Sequence, residues 1–265
     1  MGSDSAGGGG MNGARSSVPL SLFCFHQAGG GISAFAGWQR RIPAGVRVVP
    51  VPLPGRDGEC PTDLGELVAA VNDGVVGEAL RVRRGEPFAF YGHSMGALVA
   101  YHLARLRASL GQCPPQRLIV GAYPAPHLPH RLSHAPDLSD DALLELWQRL
   151  DGAAWRGAGD PGWASRTLAA FRSHLRIMGT GSPVGLPGAG DRTGRLPCPI
   201  EVFTGVDDPL VTAAEARAWR LHTSAGSRVH EIPGGHFFPR ESKEAFFGRL
   251  SAVLARALER HARPA

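Results

Sequence analysis

Phe88-Ala89-Phe90-Tyr91-Gly92-His93-Ser94-Met95-Gly96-Ala97-Leu98-Val99-Ala100 places a glycine-flanked serine between two apolar runs. Phe88 to Tyr91 reads as a short buried strand, and Ala97 to Leu103 as a helix. A G-x-S-x-G turn joining a strand to a helix is the nucleophile-elbow pattern. The turn is so tight that only hydrogen fits at the flanking positions, which explains Gly92 and Gly96. It would lift the Ser94 hydroxyl to the end of the sheet. It would also aim the N-terminus of the following helix at that hydroxyl, where developing negative charge is favoured.

A serine hydroxyl needs a base to take its proton and a carboxylate to orient that base. For an elbow of this kind the chain order is serine, acid, histidine, at the ends of successive strands. Pro199-Ile200-Glu201-Val202-Phe203-Thr204-Gly205 reads as a strand, followed by the loop Val206-Asp207-Asp208-Pro209-Leu210-Val211. Arg228-Val229-His230-Glu231-Ile232 reads as the next, running into Pro233-Gly234-Gly235-His236-Phe237-Phe238. His236, at the tip of that turn, is the expected base. The other histidines do not compete well. His93 lies inside the elbow, His102 on its helix, His127, His130 and His134 in a proline-rich loop, and His261 near the C-terminus. The spacing glycine, two residues, acid selects Asp208, with the adjacent Asp207 as the alternative. One oxyanion donor is expected from the Met95 backbone N–H and the other from a loop after an early strand. Leu20 to Phe25 reads as that strand, and His26-Gln27-Ala28-Gly29-Gly30-Gly31 as that loop.

Strands are expected at 20–25, 46–51, 87–91 and 117–122, and helices at 33–41, 63–83 and 95–109. This alternation predicts an α/β fold with a mostly parallel sheet, helices on both faces, and a site at the carboxyl ends of the strands. Between about 124 and 196 no strand is expected. Helices at 140–150 and 163–177 interrupt a stretch rich in glycine and tryptophan, and an insertion here is expected to act as a helical lid. The sheet then resumes, and a helix over 239–262 closes a domain spanning 18–262. Residues 1–17, rich in Gly and Ser, are expected to be disordered.

Several stretches together resemble the type II thioesterases that accompany polyketide synthases and nonribosomal peptide synthetases. They are Phe23-Cys24-Phe25-His26-Gln27-Ala28-Gly29-Gly30 with Phe35 and Trp38, Leu53-Pro54-Gly55-Arg56, and Gly92 to Ala97. Ala125-Pro126-His127-Leu128-Pro129, Asp207 to Val211 and Gly234 to Phe238 complete the set. The resemblance runs over roughly 20–255 and implies an α/β-hydrolase fold. It implies hydrolysis of acyl groups from the phosphopantetheine arm of acyl or peptidyl carrier proteins. It also implies a triad of Ser94, His236 and one of the paired aspartates, with the Ala28 and Met95 amides as oxyanion hole. The chain departs from the family at His26-Gln27, which become candidate substrate contacts. It departs again in the insertion, where Leu168-Ala169-Ala170-Phe171 lacks the usual acidic residue before the aromatic.

Composition agrees with such an enzyme. The chain has 265 residues, 43% of them hydrophobic, enough for one sizeable core. No apolar run approaches the ~18–20 residues of a membrane span, and no signal-peptide pattern is seen. The four cysteines (24, 60, 113, 198) are scattered without metal-ligand spacing, as expected of reduced thiols in a cytoplasmic protein. Neither a metal nor a resident cofactor is expected. A formal charge of +5 is too mild to argue for nucleic acid but suits an acidic protein partner. Arginines of the insertion, among them Arg131, Arg149, Arg156 and Arg172, are expected to meet that partner. Other readings use the same triad: a carboxylesterase of small esters, or an acyltransferase or cyclase. An inactive carrier-binding scaffold would be expected to have lost a triad member.

Overall fold

The computed structural model describes residues 19–54, 61–151, 161–180 and 194–262. The expected N-terminal tail, Gly55, Arg56, Cys60, Trp155, Arg156 and the glycine-rich stretch around 188–190 lie outside the described residues. Six strands form one parallel sheet: β1 (Leu20–Phe25), β2 (Val46–Val51), β3 (Phe88–His93), β4 (Arg117–Gly121), β5 (Ile200–Gly205) and β6 (Ser227–Ile232). Their order is β2-β1-β3-β4-β5-β6. Every residue of β1, β3, β4 and β5 is buried, whereas β2 and β6 are partly exposed. That is the expected gradient when helices cover both faces and only the edges meet water. Pro50 sits in β2, an edge strand, where its missing N–H costs no central ladder bond.

Side chains divide between the two faces with the period of two that a strand imposes. Phe23, Phe25, Phe88, Phe90, Leu118 and Val120 enter one core. Helices α1 (Leu64–Val71) and α3 (Met95–Ser109) also supply that core. Leu22, Cys24, Ala89, Tyr91, Ile119 and Phe203 enter the other, against Trp38 and Phe246. The Trp38 ring lies 5.0 Å from that of Tyr91 and 5.4 Å from that of Phe246, fastening the last helix to the sheet. Full burial of each such side chain is worth roughly 1.5–3 kcal/mol.

Two expected helices differ in detail. The 33–41 stretch forms two short 3₁₀ pieces, Ile32–Phe35 and Trp38–Arg40, separated by Gly37 in a left-handed conformation at φ 79°. The 63–83 stretch starts at the Asp63 cap, whose side chain accepts the Glu66 N–H. It passes through a π-type segment, Asn72–Val76, with non-helical backbone at Gly74, before α2 (Gly77–Val82). The chain between β4 and β5 carries α4 (Asp140–Asp151) and α5 (Pro161–Gly179). After β5 come α6 (Ala213–Arg217), then β6, α7 (Phe238–Glu241) and α8 (Lys243–Ala262). The single helix expected over 239–262 is therefore two, α7 and α8, parted at Ser242.

The interior holds several charged or titratable groups. Glu201 on β5 lies between Arg117 of β4 and His230 of β6, with His230 Nε2 2.6 Å from its carboxylate. Burial alone would raise the Glu201 pKa. The hydrogen bond from His230 and the charges of Arg117 and Arg256 outweigh it and hold the carboxyl below its usual range. Burial pushes His102 down to about 3, His130 to about 4 and His222 to about 4. Neighbouring positive charge, from Arg105 for His102 and His222, acts the same way.

These three histidines have folded-state pKa values below the ~6.5 of an unfolded histidine. Between about pH 6.5 and 4 the unfolded chain therefore binds protons that the folded chain refuses, so stability falls as pH falls. The urea midpoint should be clearly lower at about pH 5 than at about pH 7.5, before most carboxylates titrate. An unchanged midpoint would contradict this account of the buried imidazoles.

Candidate active site

β3 ends at His93, and α3 begins at Met95, leaving Ser94 alone in the turn. Its backbone sits at φ 54°, ψ −121°, a conformation disfavoured for a residue with a side chain. The turn is held by Ser94 N–H to Gly121 C=O at 2.8 Å and Ala97 N–H to Ser94 C=O at 2.8 Å. A Cβ at Gly92 would lie 2.1 Å from the Gly96 carbonyl oxygen, and one at Gly96 would lie 2.1 Å from that of Phe25. Both glycines are therefore sterically required, as the spacing predicts.

His236, on the turn after β6, points its Nε2 at Ser94 Oγ over 3.1 Å. Its Nδ1 lies 3.0 and 3.1 Å from the two carboxylate oxygens of Asp208, on the loop after β5. Nδ1–H then donates to Asp208, and Nε2 is left to accept the Ser94 hydroxyl proton. The Asp208 side chain is fully buried, and its Oδ1 also accepts the Leu210 N–H at 2.8 Å, across Pro209. Asp207 is exposed, and only its backbone N–H joins the turn, donating to Gly234 C=O at 3.0 Å. Geometry thus singles out Asp208 of the pair. His93 packs at 5.6 Å from the His236 ring but makes no hydrogen bond to Ser94. Burial and the neighbouring His236 hold it far below the usual histidine range, so it stays neutral.

Ala28 and Met95 flank this constellation. Neither backbone N–H is engaged by a described residue, whereas the next two amides of the glycine loop, Gly29 and Gly30, are. Gln27, Ala28, Ser94, His236 and Phe237 share a narrow cavity of about 20 Å³ with Trp147, Phe171, Leu175 and Met178 of α4 and α5. Of the two candidate contacts, Gln27 lines this cavity. His26 is buried beside it, its Nδ1 2.9 Å from the Gln27 carbonyl.

Two supporting groups were not visible in the sequence. His174 of α5 is completely buried. Its Nδ1 accepts the Gly29 N–H at 2.9 Å, so its Nε2–H is the donor to Pro54 C=O at 3.0 Å. The insertion is thereby bonded to the glycine loop beside Ala28. Gly29 fits there because a Cβ would lie 2.5 Å from the Trp147 ring, and its φ is +67°. Glu241 of α7 accepts the Gly235 N–H at 2.6 Å and so braces the turn that carries His236. A lone histidine in an amphipathic helix, or an acid five residues beyond the base, carries no signal of such pairing. Among the described residues, no group of three or more His, Cys, Asp or Glu is placed to hold a metal ion. No helix there is long and apolar enough to cross a membrane.

A parallel α/β sheet with a strained serine turn, a histidine and a buried aspartate at its carboxyl edge is the arrangement of the serine-hydrolase class. A profile of the thioesterase domain matches residues 21–254, and the chain belongs to that family. It is 33% identical to the gramicidin S biosynthesis protein GrsT of Aneurinibacillus migulanus over 249 residues, which is 91% of this chain and 93% of that protein. Among solved structures it resembles the RedJ thioesterase of the prodiginine pathway of Streptomyces coelicolor. That match has a TM-score of 0.74 and 35% identity, and covers 89% of this chain and 86% of the other. The type II thioesterase BorB of the borrelidin cluster matches with a TM-score of 0.73 and 33% identity over 91% and 93% of the two chains. The resemblance to type II thioesterases of polyketide and nonribosomal peptide pathways is borne out, as is the α/β-hydrolase fold.

Replacing His174 by leucine would leave the buried Gly29 N–H without this acceptor and the half-buried Pro54 carbonyl without this donor. A buried group left so costs about 1–3 kcal/mol. Urea unfolding should show a loss of about 2 kcal/mol or more. His174→Asn, whose amide oxygen can stand where Nδ1 stands, should recover part of the loss. Equal stability of the leucine variant and the wild type would show that neither bond matters.

Proposed function

We propose that this chain is a stand-alone type II thioesterase. It would hydrolyse acyl or aminoacyl thioesters from the phosphopantetheine arms of carrier proteins in polyketide or nonribosomal peptide biosynthesis. The observation that carries the proposal is the continuous relay from Ser94 Oγ through His236 to Asp208, with both hydrogen-bond steps near 3 Å. His236 takes the Ser94 proton as Oγ attacks the thioester carbonyl. Negative charge collects on the carbonyl oxygen, where the Met95 and Ala28 N–H groups and the start of α3 stabilise it. The imidazolium, held by Asp208, then protonates the departing thiol, and an acyl-Ser94 ester remains. Water enters, gives its proton to His236, and releases the acid by the same steps reversed. The chemistry uses only these groups, so the reading includes no metal or redox cofactor. The acyl group arrives on a partner's arm.

The apolar side chains of α4 and α5 over Ser94 support a lid role for the insertion between β4 and β5. The catalytic cavity is closed down to about 20 Å³, little more than one water occupies. For an acyl chain to enter between α4 and α5 themselves, these helices would have to move outward. A cytoplasmic location belongs to the same reading. The unpaired Cys24, Cys113 and Cys198 agree with a reducing compartment.

Ser94→Ala should abolish labelling by a serine-directed fluorophosphonate and lower kcat by roughly 10⁴–10⁶-fold. Labelling and normal turnover in that variant would reduce the elbow to a turn. Substrate class is tested by offering acyl-carrier protein, acyl-CoA and a p-nitrophenyl ester of one acyl group side by side. The highest kcat/KM is expected for the carrier-bound thioester, and a preference for the free ester would favour a carboxylesterase.

Asp208→Asn should lower kcat by roughly 10⁴-fold, because the amide favours the wrong histidine tautomer. Asp207→Asn should keep most activity. The opposite ranking would move the orienting role to Asp207.

A further inference from the structure

A groove of about 770 Å³ lies at the end of the sheet away from the triad, and the proposed reaction makes no use of it. Pro87 and Phe88, where β3 starts, and Gln116, just before β4, form part of its wall. Ser94 follows the far end of β3. Arg107, in the last turns of α3, also lines the groove and stands about 20 Å from Ser94 at the helical rise of about 1.5 Å per residue. Asn72 and Asp73 complete this side. They open the π-type segment that interrupts the 63–83 helix, and such interruptions recur at functional positions.

The groove holds buried positive charge without a matching acid. Arg107 is 7% exposed. Its hydrogen bonds go to neutral oxygens, from Nε to Cys113 C=O and from Nη1 to Asn72 Oδ1, both at 3.2 Å. The Phe88 ring, 5.5 Å from the guanidinium carbon, adds only a cation–π attraction. Among the described residues no carboxylate pairs with Arg107, and burial lowers its pKa from the usual arginine value. A cation withdrawn from water without a counter-charge is costly. Arg83 repeats the pattern. It lines the same groove, and its Nη1 is buried with no hydrogen-bond partner among the described residues. Arg84 is exposed on the same wall.

The acids nearby do not cancel this charge. Glu78 is paired with Arg81. Glu86 Oε2 is 3.5 Å from Arg47 of β2, an ion pair without a hydrogen bond. Asp73 remains, and its Oδ1 accepts the Asn72 Nδ2–H at 3.0 Å. Arg83, Arg84 and Arg107 against Asp73 leave two positive charges unmatched.

We propose that this groove is an anion site whose occupant is a phosphate group. A phosphate monoester carries a charge of about −1.5 to −2 near pH 7, close to what the groove lacks, whereas one carboxylate would supply about half. Guanidinium forks also donate paired N–H bonds to phosphate oxygens. The groove has room for more than a phosphate, and the amides of Asn72, Gln112 and Gln116 on its wall suit a polar body. The same chemistry arrives as the free ion or on a small monoester. The site is independent of the reaction at Ser94.

Equilibrium dialysis with radiolabelled inorganic phosphate, in chloride buffer, tests the site without catalysis. Saturable binding of one phosphate per chain is expected, weakening as salt is added. Unlabelled phosphate, glucose 6-phosphate and citrate then compete with the label. Stronger competition by glucose 6-phosphate than by phosphate assigns the site to a monoester, and the reverse order assigns it to the free ion. Citrate outcompeting both would overturn the choice of phosphate. Arg83→Gln should weaken binding on the order of tenfold, the loss of one charge-assisted hydrogen bond. Because Arg83 Nη1 has no partner among the described residues, that variant should keep the wild-type melting temperature in chloride. Arg249→Gln removes an exposed arginine of α8 and should bind phosphate like the wild type. Equal weakening by the two substitutions would mean general attraction to a basic chain and would overturn the site, as would the absence of saturable binding. Replacing chloride by phosphate should raise the melting temperature of the wild type more than that of Arg83→Gln. Site binding stabilises only the protein that binds, whereas the general effect of phosphate on burial acts on both. An equal rise in the two proteins would also overturn the assignment.

Discussion

The structure is organised around a contact with no room for a side chain. Gly96 lies so close to the end of β1 that an added Cβ would stand 2.1 Å from the Phe25 carbonyl oxygen, and Gly92 is equally close to Gly96. The β3–α3 turn is therefore wedged between its own helix and the neighbouring strand. Ser94 remains at positive φ because relaxing it would drive backbone into backbone. β1 pairs directly with β3, Phe25 opposite Gly92, so the chain leaving β1 emerges beside the serine. By that adjacency Ala28 and Ser94 come to line the same cavity. The parallel order places the loops after β5 and β6 at the same sheet edge. Four segments distant in sequence thus converge at one sheet edge.

What was legible in the chain follows from this. The strands of the sheet could be read because four of them are buried on both faces and appear as short apolar runs. Ser94 and His236 could be read because glycines mark tight turns after such runs. Asp207 and Asp208 could not be separated with certainty by pattern alone. The difference lies in which side chain turns inward, and the Leu210 N–H helps to decide it. The 33–41 and 63–83 helices were legible as helical but not as broken, because Gly37 and Gly74 interrupt the backbone without disturbing the apolar spacing. His174 was illegible because its partners Gly29 and Pro54 lie far along the chain, and Glu241 because an acid a few residues past the base carries no mark of its bond to Gly235. The basic surface was read only in part. Arg131 and Arg172 of the insertion are engaged by Glu215 and Asp140 within the protein. Arg40, Arg41, Arg240 and Lys243, which line a groove beside Trp147 and Phe237, lie elsewhere, on the 3₁₀ turn after β1, in α7 and at the start of α8.

The same turn explains why the insertion and the catalytic edge behave as one unit. α5 reaches the glycine loop through His174, and Trp147 of α4 closes on Gly29 at a distance only glycine permits. Moving α4 and α5 outward to admit an acyl chain would therefore pull on the loop that carries the Ala28 amide. On the proposed function, a substrate that lets His174 stay bonded to Gly29 would keep that amide in place, and one that forces α5 away would release it. Discrimination among acyl groups would then appear in the chemical step as well as in binding, if the Ala28 amide serves as the proposed oxyanion donor. The coupling needs no second site. It follows from one buried imidazole that is shared between the insertion and the loop beside the nucleophile.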